Sequence, residues 1–265
     1  MKRARTAHRL GWLWVHCALA QSMAMTAAAQ SPSLAMAHVF QPMAQSEKQQ
    51  NTRLFADAWG LDQPDLEHRR VRTSGLGLLS ASASVQAVVQ GSLHWGDHQG
   101  WPFVVVDKKQ ARVYVFSATG RLLGEAPALL GLALGDLATP GMGDRPLSQI
   151  RPKERITPAG RFVAEMGRNT AGQTILWVDY EQAISIHPVR SLNPQERRLE
   201  RLASNSAQDK RITYGCINVP LLFWRTVVLP TFQGTQGVVY VLPDQLSLDA
   251  LFGQRLWPTK TATDK

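Results

Sequence analysis

From Trp101 onward the chain carries short, closely spaced β-rich runs: Phe103–Val106 (FVVV), Arg112–Phe116 (RVYVF) and, further on, Gly237–Leu242 (GVVYVL). Such runs of β-branched and aromatic residues, bounded by turn residues, are too short for helices and fit a pleated sheet. Asp107-Lys108-Lys109-Gln110 separates the first two as a hairpin. Arg121–Glu125, Ala128–Leu134, Arg161–Met166, Ile175–Val178 and Ala183–His187 continue the pattern around a Gly/Pro-rich loop, Gly135–Pro158. Pro220 opens a short helix through Phe223 and Trp224, because proline fits a first helical position. Asp244–Phe252 forms a terminal helix. The spacing predicts a mainly β fold with short helices, an antiparallel or mixed β-sandwich rather than regular βαβ units.

The start of the chain has another texture. Lys2, Arg3, Arg5 and Arg9 precede an apolar stretch, Leu10–Ala20, and Ala27-Ala28-Ala29 stand before Gln30. That order predicts a cleavable export signal over 1–29. The rival is an uncleaved membrane anchor, but the apolar run breaks at Gln21-Ser22, short of the ~20 residues a spanning helix needs. Lipidation at Cys17 is disfavoured by the bulk of Trp14-Val15-His16. Residues 30–92 read as an N-terminal extension: a polar tether to Gln50, a short helix within Asn51–Arg70, and a Ser/Ala-rich stretch, Gly75–Gly91, with no assignable structure. The main domain is 93–254, followed by a tail, 255–265.

Hydrophobic residues make up 44% and charged residues 18%, which excludes wholesale disorder. The formal charge is +9, and loss of four positive and no negative charges with 1–29 leaves +5. That mild excess does not call for nucleic acid and suits an extracytoplasmic partner such as an anionic wall polymer. Export also removes Cys17 and leaves Cys216 unpaired where thiols tend to be oxidised. Such a thiol is either reactive or buried and inert.

Cys216 sits in Ile212-Thr213-Tyr214-Gly215-Cys216-Ile217-Asn218-Val219-Pro220. A glycine before the cysteine lets the backbone turn sharply. N–H groups left open beside the sulfur then suit the oxyanion of an acyl transfer. A free thiol titrates near ~8.5, so a nucleophilic cysteine needs a base. His187 is the candidate, because it ends the strand-like run Ile184-Ser185-Ile186 and lies inside the strand-rich region. The cluster His94, Asp97 and His98 invites a metal reading, but Gly96 argues for a loop and the ligand set is incomplete.

His187 together with Thr213-Tyr214-Gly215-Cys216-Ile217-Asn218 resembles the signature of the L,D-transpeptidases, the YkuD-type catalytic domain. Thr157-Pro158-Ala159-Gly160-Arg161-Phe162 resembles that family's Thr-Pro-x-Gly-x-Phe segment, and the hairpin Val104–Phe116 its opening. The resemblance spans Trp101–Phe252. It implies a YkuD-like β-sandwich and a periplasmic enzyme acting on peptidoglycan stem peptides. The cysteine would form a thioester with the acyl group and pass it to an amine, as a 3→3 crosslink, or to an acceptor protein or D-amino acid. Carried over, Cys216 is the nucleophile and His187 the general base. The N–H groups of Tyr214, Gly215 and Cys216 form the oxyanion hole, with Thr213 and Asn218 as substrate contacts. No cofactor or metal is implied, and carbapenems are expected to acylate the thiol. Tyr214 departs from the pattern, standing where the family has a second histidine. A hydrolase using the same Cys/His pair and a non-catalytic wall-binding module remain open readings.

The segment between His187 and Cys216 is long. Asn193-Pro194-Gln195-Glu196 predicts a helix start, with Leu199 and Leu202 on one side. Arg190, Arg197, Arg198, Arg201, Lys210 and Arg211 outnumber Glu196, Glu200 and Asp209. One reading is a basic lid in which Arg197 and Arg201 grip substrate carboxylates. The other is a solvated helix supported by its own ion pairs.

Overall fold

A computed structural model describes residues 81–256; the proposed signal, the extension to residue 80 and the tail from 257 lie outside them. The fold is mainly β with short helices. Helix α1 (Ala83–Trp95) precedes strands β1 (Phe103–Asp107), β2 (Arg112–Phe116), β3 (Leu122–Pro127) and β4 (Leu130–Gly131). Strands β5 (Gly160–Arg168), β6 (Thr174–Asp179) and β7 (Ile184–Pro188) follow the long loop. Helix α2 (Arg198–Ala203) then leads to β8 (Arg211–Thr213) and β9 (Ile217–Val219). A helical run over 221–232 (α3), β10 (Gly237–Val241) and helix α4 (Leu248–Leu256) complete the described residues.

Eight strands form one mixed sheet in the order β3-β2-β1-β10-β5-β6-β7-β9, and β4 pairs with β8 separately. The sheet curls back on itself. Leu129, just past β3, exchanges both backbone hydrogen bonds with Asn218 of β9, at 2.8 and 2.9 Å. The two halves of the sandwich are therefore one sheet bent around a core. Val104, Val106, Val113, Val115, Val239 and Val241 point into that core with Phe223, Trp224 and Phe232 of the 221–232 run. Their neighbours Phe103, Val105, Tyr114, Phe116, Val238 and Tyr240 face the other way, because successive strand residues alternate faces. Both faces of β1 and β10 are covered, which is why these strands read as unbroken apolar runs.

The second face is covered by α1 and α4. Val85, Val88 and Val89 of α1 are buried there with Phe252 and Leu256. Each such side chain contributes roughly 1.5–3 kcal/mol relative to exposure. The boundary drawn at 92/93 falls inside α1, so the folded unit begins earlier than the sequence suggested. Composition hid this: the helix is rich in Ser, Ala and Gln, and only three valines form its buried apolar stripe, Leu93 and Trp95 being exposed. Its N-cap is Ser82, whose Oγ accepts from the Val85 N–H. Asp97 and His98, grouped in the sequence with His94, serve the fold. Asp97 accepts from Arg161 and Tyr240 at 2.7 and 2.6 Å, and the His98 ring lies within hydrogen-bond distance of the Ser92 and Ala118 carbonyls.

A buried charge cluster ties the long loop to the sheet. Lys108, fully buried, donates to the Gly135 and Thr157 carbonyls at 2.6 and 2.9 Å and to Asp136 at 2.9 Å. Asp244 lies 3.4 Å from the same ammonium and also binds Arg211 of β8. Asp136 accepts the Asp244, Gln245 and Leu246 N–H groups. The cluster thus joins the β1–β2 hairpin, the loop, β8 and the segment before α4.

Candidate active site

Strands β7 and β9 run parallel, with Ile186 beside Ile217, His187 beside Asn218 and Pro188 beside Val219. Ile184, Ile186, Ile217 and Val219 point into the inner core. By alternation Ser185, His187, Cys216 and Asn218 project from the opposite face. The same register sets Ser185 next to Cys216, and Trp177 of β6 pairs with Ser185. Thiol and imidazole therefore share one face of adjacent strands, although 29 residues separate them in the chain.

The turn before the sulfur is built from both sides. Thr213 Oγ1 accepts the Gly215 N–H at 3.1 Å and donates to the Cys216 carbonyl at 2.6 Å. Thr157 Oγ1 accepts the Gly131 N–H and donates to the Gly215 carbonyl, both at 2.8 Å. Gly215 has φ +135°, and a Cβ there would stand 2.7 Å from both the Ile156 carbonyl oxygen and Ile184 Cδ1. Thr213 is thus a support of the turn rather than a substrate contact. The Gly215 N–H is already taken, which removes it from the proposed oxyanion hole. The N–H groups of Tyr214 and Cys216 have no backbone partner among the described residues and remain candidates for that role. The Tyr214 ring packs under the Arg155 guanidinium, 4.0 Å from its centroid.

Cys216 is partly exposed. Its sulfur lies 3.6 Å from Ser185 Oγ and 3.5 Å from the Ala183 carbonyl. The His187 nitrogens are engaged elsewhere: Nδ1 is 2.9 Å from the Pro188 carbonyl oxygen and Nε2 is 2.9 Å from Asn218 Nδ2. The register explains this, because Ser185 faces the sulfur and His187 stands two residues further along β7. Burial pushes the His187 imidazole down to about 4; the charges of Arg190 and Arg198 add to that, and the bond to Pro188 opposes it. Arg190 itself is lowered by burial and supported by the Cys216 sulfur, which puts a guanidinium within electrostatic reach of the thiol.

The lid is a helix in two pieces. Asn193 caps a 3-10 turn, Pro194–Glu196, by accepting the Gln195 N–H. Arg197 then adopts a left-handed backbone, φ +49°, and α2 restarts at Arg198. This break resets the helical phase. Leu202 packs with Leu129 and Val189, whereas Leu199 lies on the exposed side, so the two leucines do not share a buried stripe. Arg197 points to solvent and pairs with Glu200. Arg201 binds the Glu196 and Asp209 carbonyls within the lid. Neither reaches the thiol's face. Arg198 does, donating from Nη1 to Asn218 Oδ1 at 2.9 Å while its Nε pairs with Glu196. Sequence reasoning missed Arg198 and Ser185. Ser185 was accessible from period-2 spacing with His187, but the phase break at Arg197 left Arg198 without a signal.

No family model matches the chain, and no curated protein matches it. Among solved structures, the NMR structure of the catalytic domain of the E. faecium L,D-transpeptidase is similar at 18% identity, covering 53% of this chain and 95% of that one, with a TM-score of 0.30. A superposition that loose carries no weight by itself.

Proposed function

We propose that the chain is an exported cysteine acyltransferase of the L,D-transpeptidase type, acting on peptidoglycan stem tetrapeptides. The observation that carries the reading is the sharing of one sheet face by a partly exposed, unpaired thiol and a neutral imidazole, with a glycine-dependent turn delivering the sulfur. Cys216 gives its proton to His187, and the thiolate adds to the amide carbonyl of the acyl donor. The N–H groups of Tyr214 and Cys216 face the developing oxyanion. The C–N bond breaks, the leaving amine takes the proton from the imidazolium, and a thioester remains. An acceptor amine then attacks the thioester, loses its proton to His187 and leaves a new amide; the thiol is restored. Arg190 supports the thiolate by charge.

The test is the purified protein with disaccharide-tetrapeptide, followed by mass spectrometry. A crosslinked dimer and its loss in Cys216→Ala are expected, as is a stoichiometric carbapenem adduct on Cys216. Release of the terminal residue without dimer would assign the hydrolase reading instead. A second reading has its own observation: Asn218 occupies the His187 lone pair, as it would in a wall-binding module that has lost catalysis. Under it, Cys216→Ala leaves peptidoglycan sedimentation unchanged and the wild-type thiol takes up no carbapenem.

A further inference from the structure

We propose that Arg198 is the positioning residue for His187, acting through Asn218 to hold the imidazole in one tautomer, protonated at Nδ1 and with its lone pair at Nε2 accepting from Asn218. The inference rests on the acyl-transfer reading for the use made of that tautomer, but the lock itself is measurable with no substrate present.

The donors and acceptors of each group fix how the bonds run. A guanidinium only donates, so the end of Asn218 that it meets at 2.9 Å is Oδ1. The other end, Nδ2, also only donates, so His187 Nε2 at 2.9 Å meets it with a lone pair. The Pro188 carbonyl only accepts, so the proton of the neutral ring sits on Nδ1. Every orientation in the chain is fixed from its charged end. A doubly protonated ring would set an N–H against the Asn218 amide N–H. Turning that amide over would set the same amide group against Arg198. Charge-assisted bonds are roughly twice as strong as neutral ones, so the guanidinium holds the stronger end.

The surroundings agree. Arg198 and Arg190 both bring positive charge toward the ring, and Glu196 is held by Arg198. Cys216 lies on the same face, and β6 presents Trp177 and Leu176 in register with Ser185 and Ile186, while its one carboxylate, Asp179, pairs with Ile184 at the start of β7. Burial and the two guanidiniums keep the ring neutral. The lid therefore reaches the base through one side chain, and the nitrogen it leaves unprotonated takes up a proton once Asn218 releases its lone pair.

The experiment is ring-nitrogen NMR of His187 in the full chain, titrated from neutral to acid pH, for wild type, Arg198→Met, Arg198→Lys and Asn218→Asp. Wild type is expected to show Nδ1–H alone and to titrate only in acid. Arg198→Met should mix the two tautomers and raise the His187 midpoint by about one pH unit, through loss of a nearby charge and a hydrogen bond. Arg198→Lys should restore the midpoint more than the tautomer, since it keeps the charge without the planar fork. Asn218→Asp should raise the midpoint further, because a carboxylate accepts from an Nε2–H. Arg198→Met spectra superimposing on wild type, even with a lower melting temperature, would overturn the proposal and leave Arg198 as a prop of the lid. If Arg198→Met does not fold, an unmoved His187 midpoint in Asn218→Asp has the same force. A lock that behaves as expected in a protein without acyl transfer would sink the functional reading and leave this one standing.

Discussion

At the scale of single residues, the sulfur's position depends on a backbone that L side chains rarely adopt. Gly215→Ala adds strain at φ +135° and pushes a methyl toward the Ile156 carbonyl. It should cost about 2–4 kcal/mol, measured by denaturant unfolding, with slower alkylation of Cys216. A fully stable variant with unchanged alkylation would mean that the turn relaxes freely. His187 gives a pH prediction with a definite sign. Folding lowers its proton affinity from 6.5 to about 4, so between those values the unfolded chain binds more protons than the folded one. Stability should fall as pH drops through that window, by about 3 kcal/mol at full extent. The acid loss should flatten in His187→Gln, and an identical slope in that variant would contradict it. Cys216 and His187 were both legible from the sequence, because a lone cysteine behind a glycine and a histidine at a strand end are local patterns. That Thr213 holds the turn and Asn218 meets the imidazole was not legible, since both depend on partners that the local pattern does not contain.

At the scale of elements, the site stands on a loop and a lid that are fixed in different ways. The loop is anchored by buried charge. Burial alone would raise Asp136, but the N–H groups of Leu246, Asp244 and Gln245 and the Lys108 ammonium outweigh it and hold the carboxyl down at about 2. Lys108→Met strands Asp136 and Asp244 without their shared cation. It should destabilise by about 3–5 kcal/mol, because one partner of a buried charge set is removed; a loss below 1 kcal/mol in urea unfolding would contradict this. The same variant should loosen the Thr157 end of the loop, which binds the Gly215 carbonyl. The lid, in contrast, is a short helix seated by Leu202 and joined to the sheet face by Arg198. Its N-terminal cap was readable from Asn193-Pro194, but the left-handed Arg197 was not, because nothing in an Arg-Arg pair marks a break in helical phase. That single backbone choice moved the cleft contact from Arg197 and Arg201 to Arg198.

At the scale of the whole molecule, the sheet's curl brings β7 and β9 together and closes on Leu129, so the site depends on both ends of the fold. Strand identity was legible because the apolar runs of β1, β2 and β10 are buried on both faces. Their order was not, since parallel β1–β10 and β7–β9 pairings are decided by contacts between distant segments. Helix α1 was missed because its apolar stripe, Val85, Val88 and Val89, is short and set in a Ser/Ala-rich stretch, yet these valines are buried and its Ser92 hydroxyl meets Tyr240 at 2.9 Å. A chain beginning at Leu93 should therefore fail to fold cooperatively, whereas one beginning at Ala81 should melt in one cooperative transition; circular dichroism decides, and equal melting of the two would remove α1 from the folded unit. The most direct measurement of the central claim is the intact mass of the protein after brief exposure to a stem tetrapeptide. A thioester adduct on Cys216, absent in Cys216→Ala and depleted in His187→Gln, is the predicted result. An unmodified thiol under conditions where the peptide is nonetheless converted would contradict it.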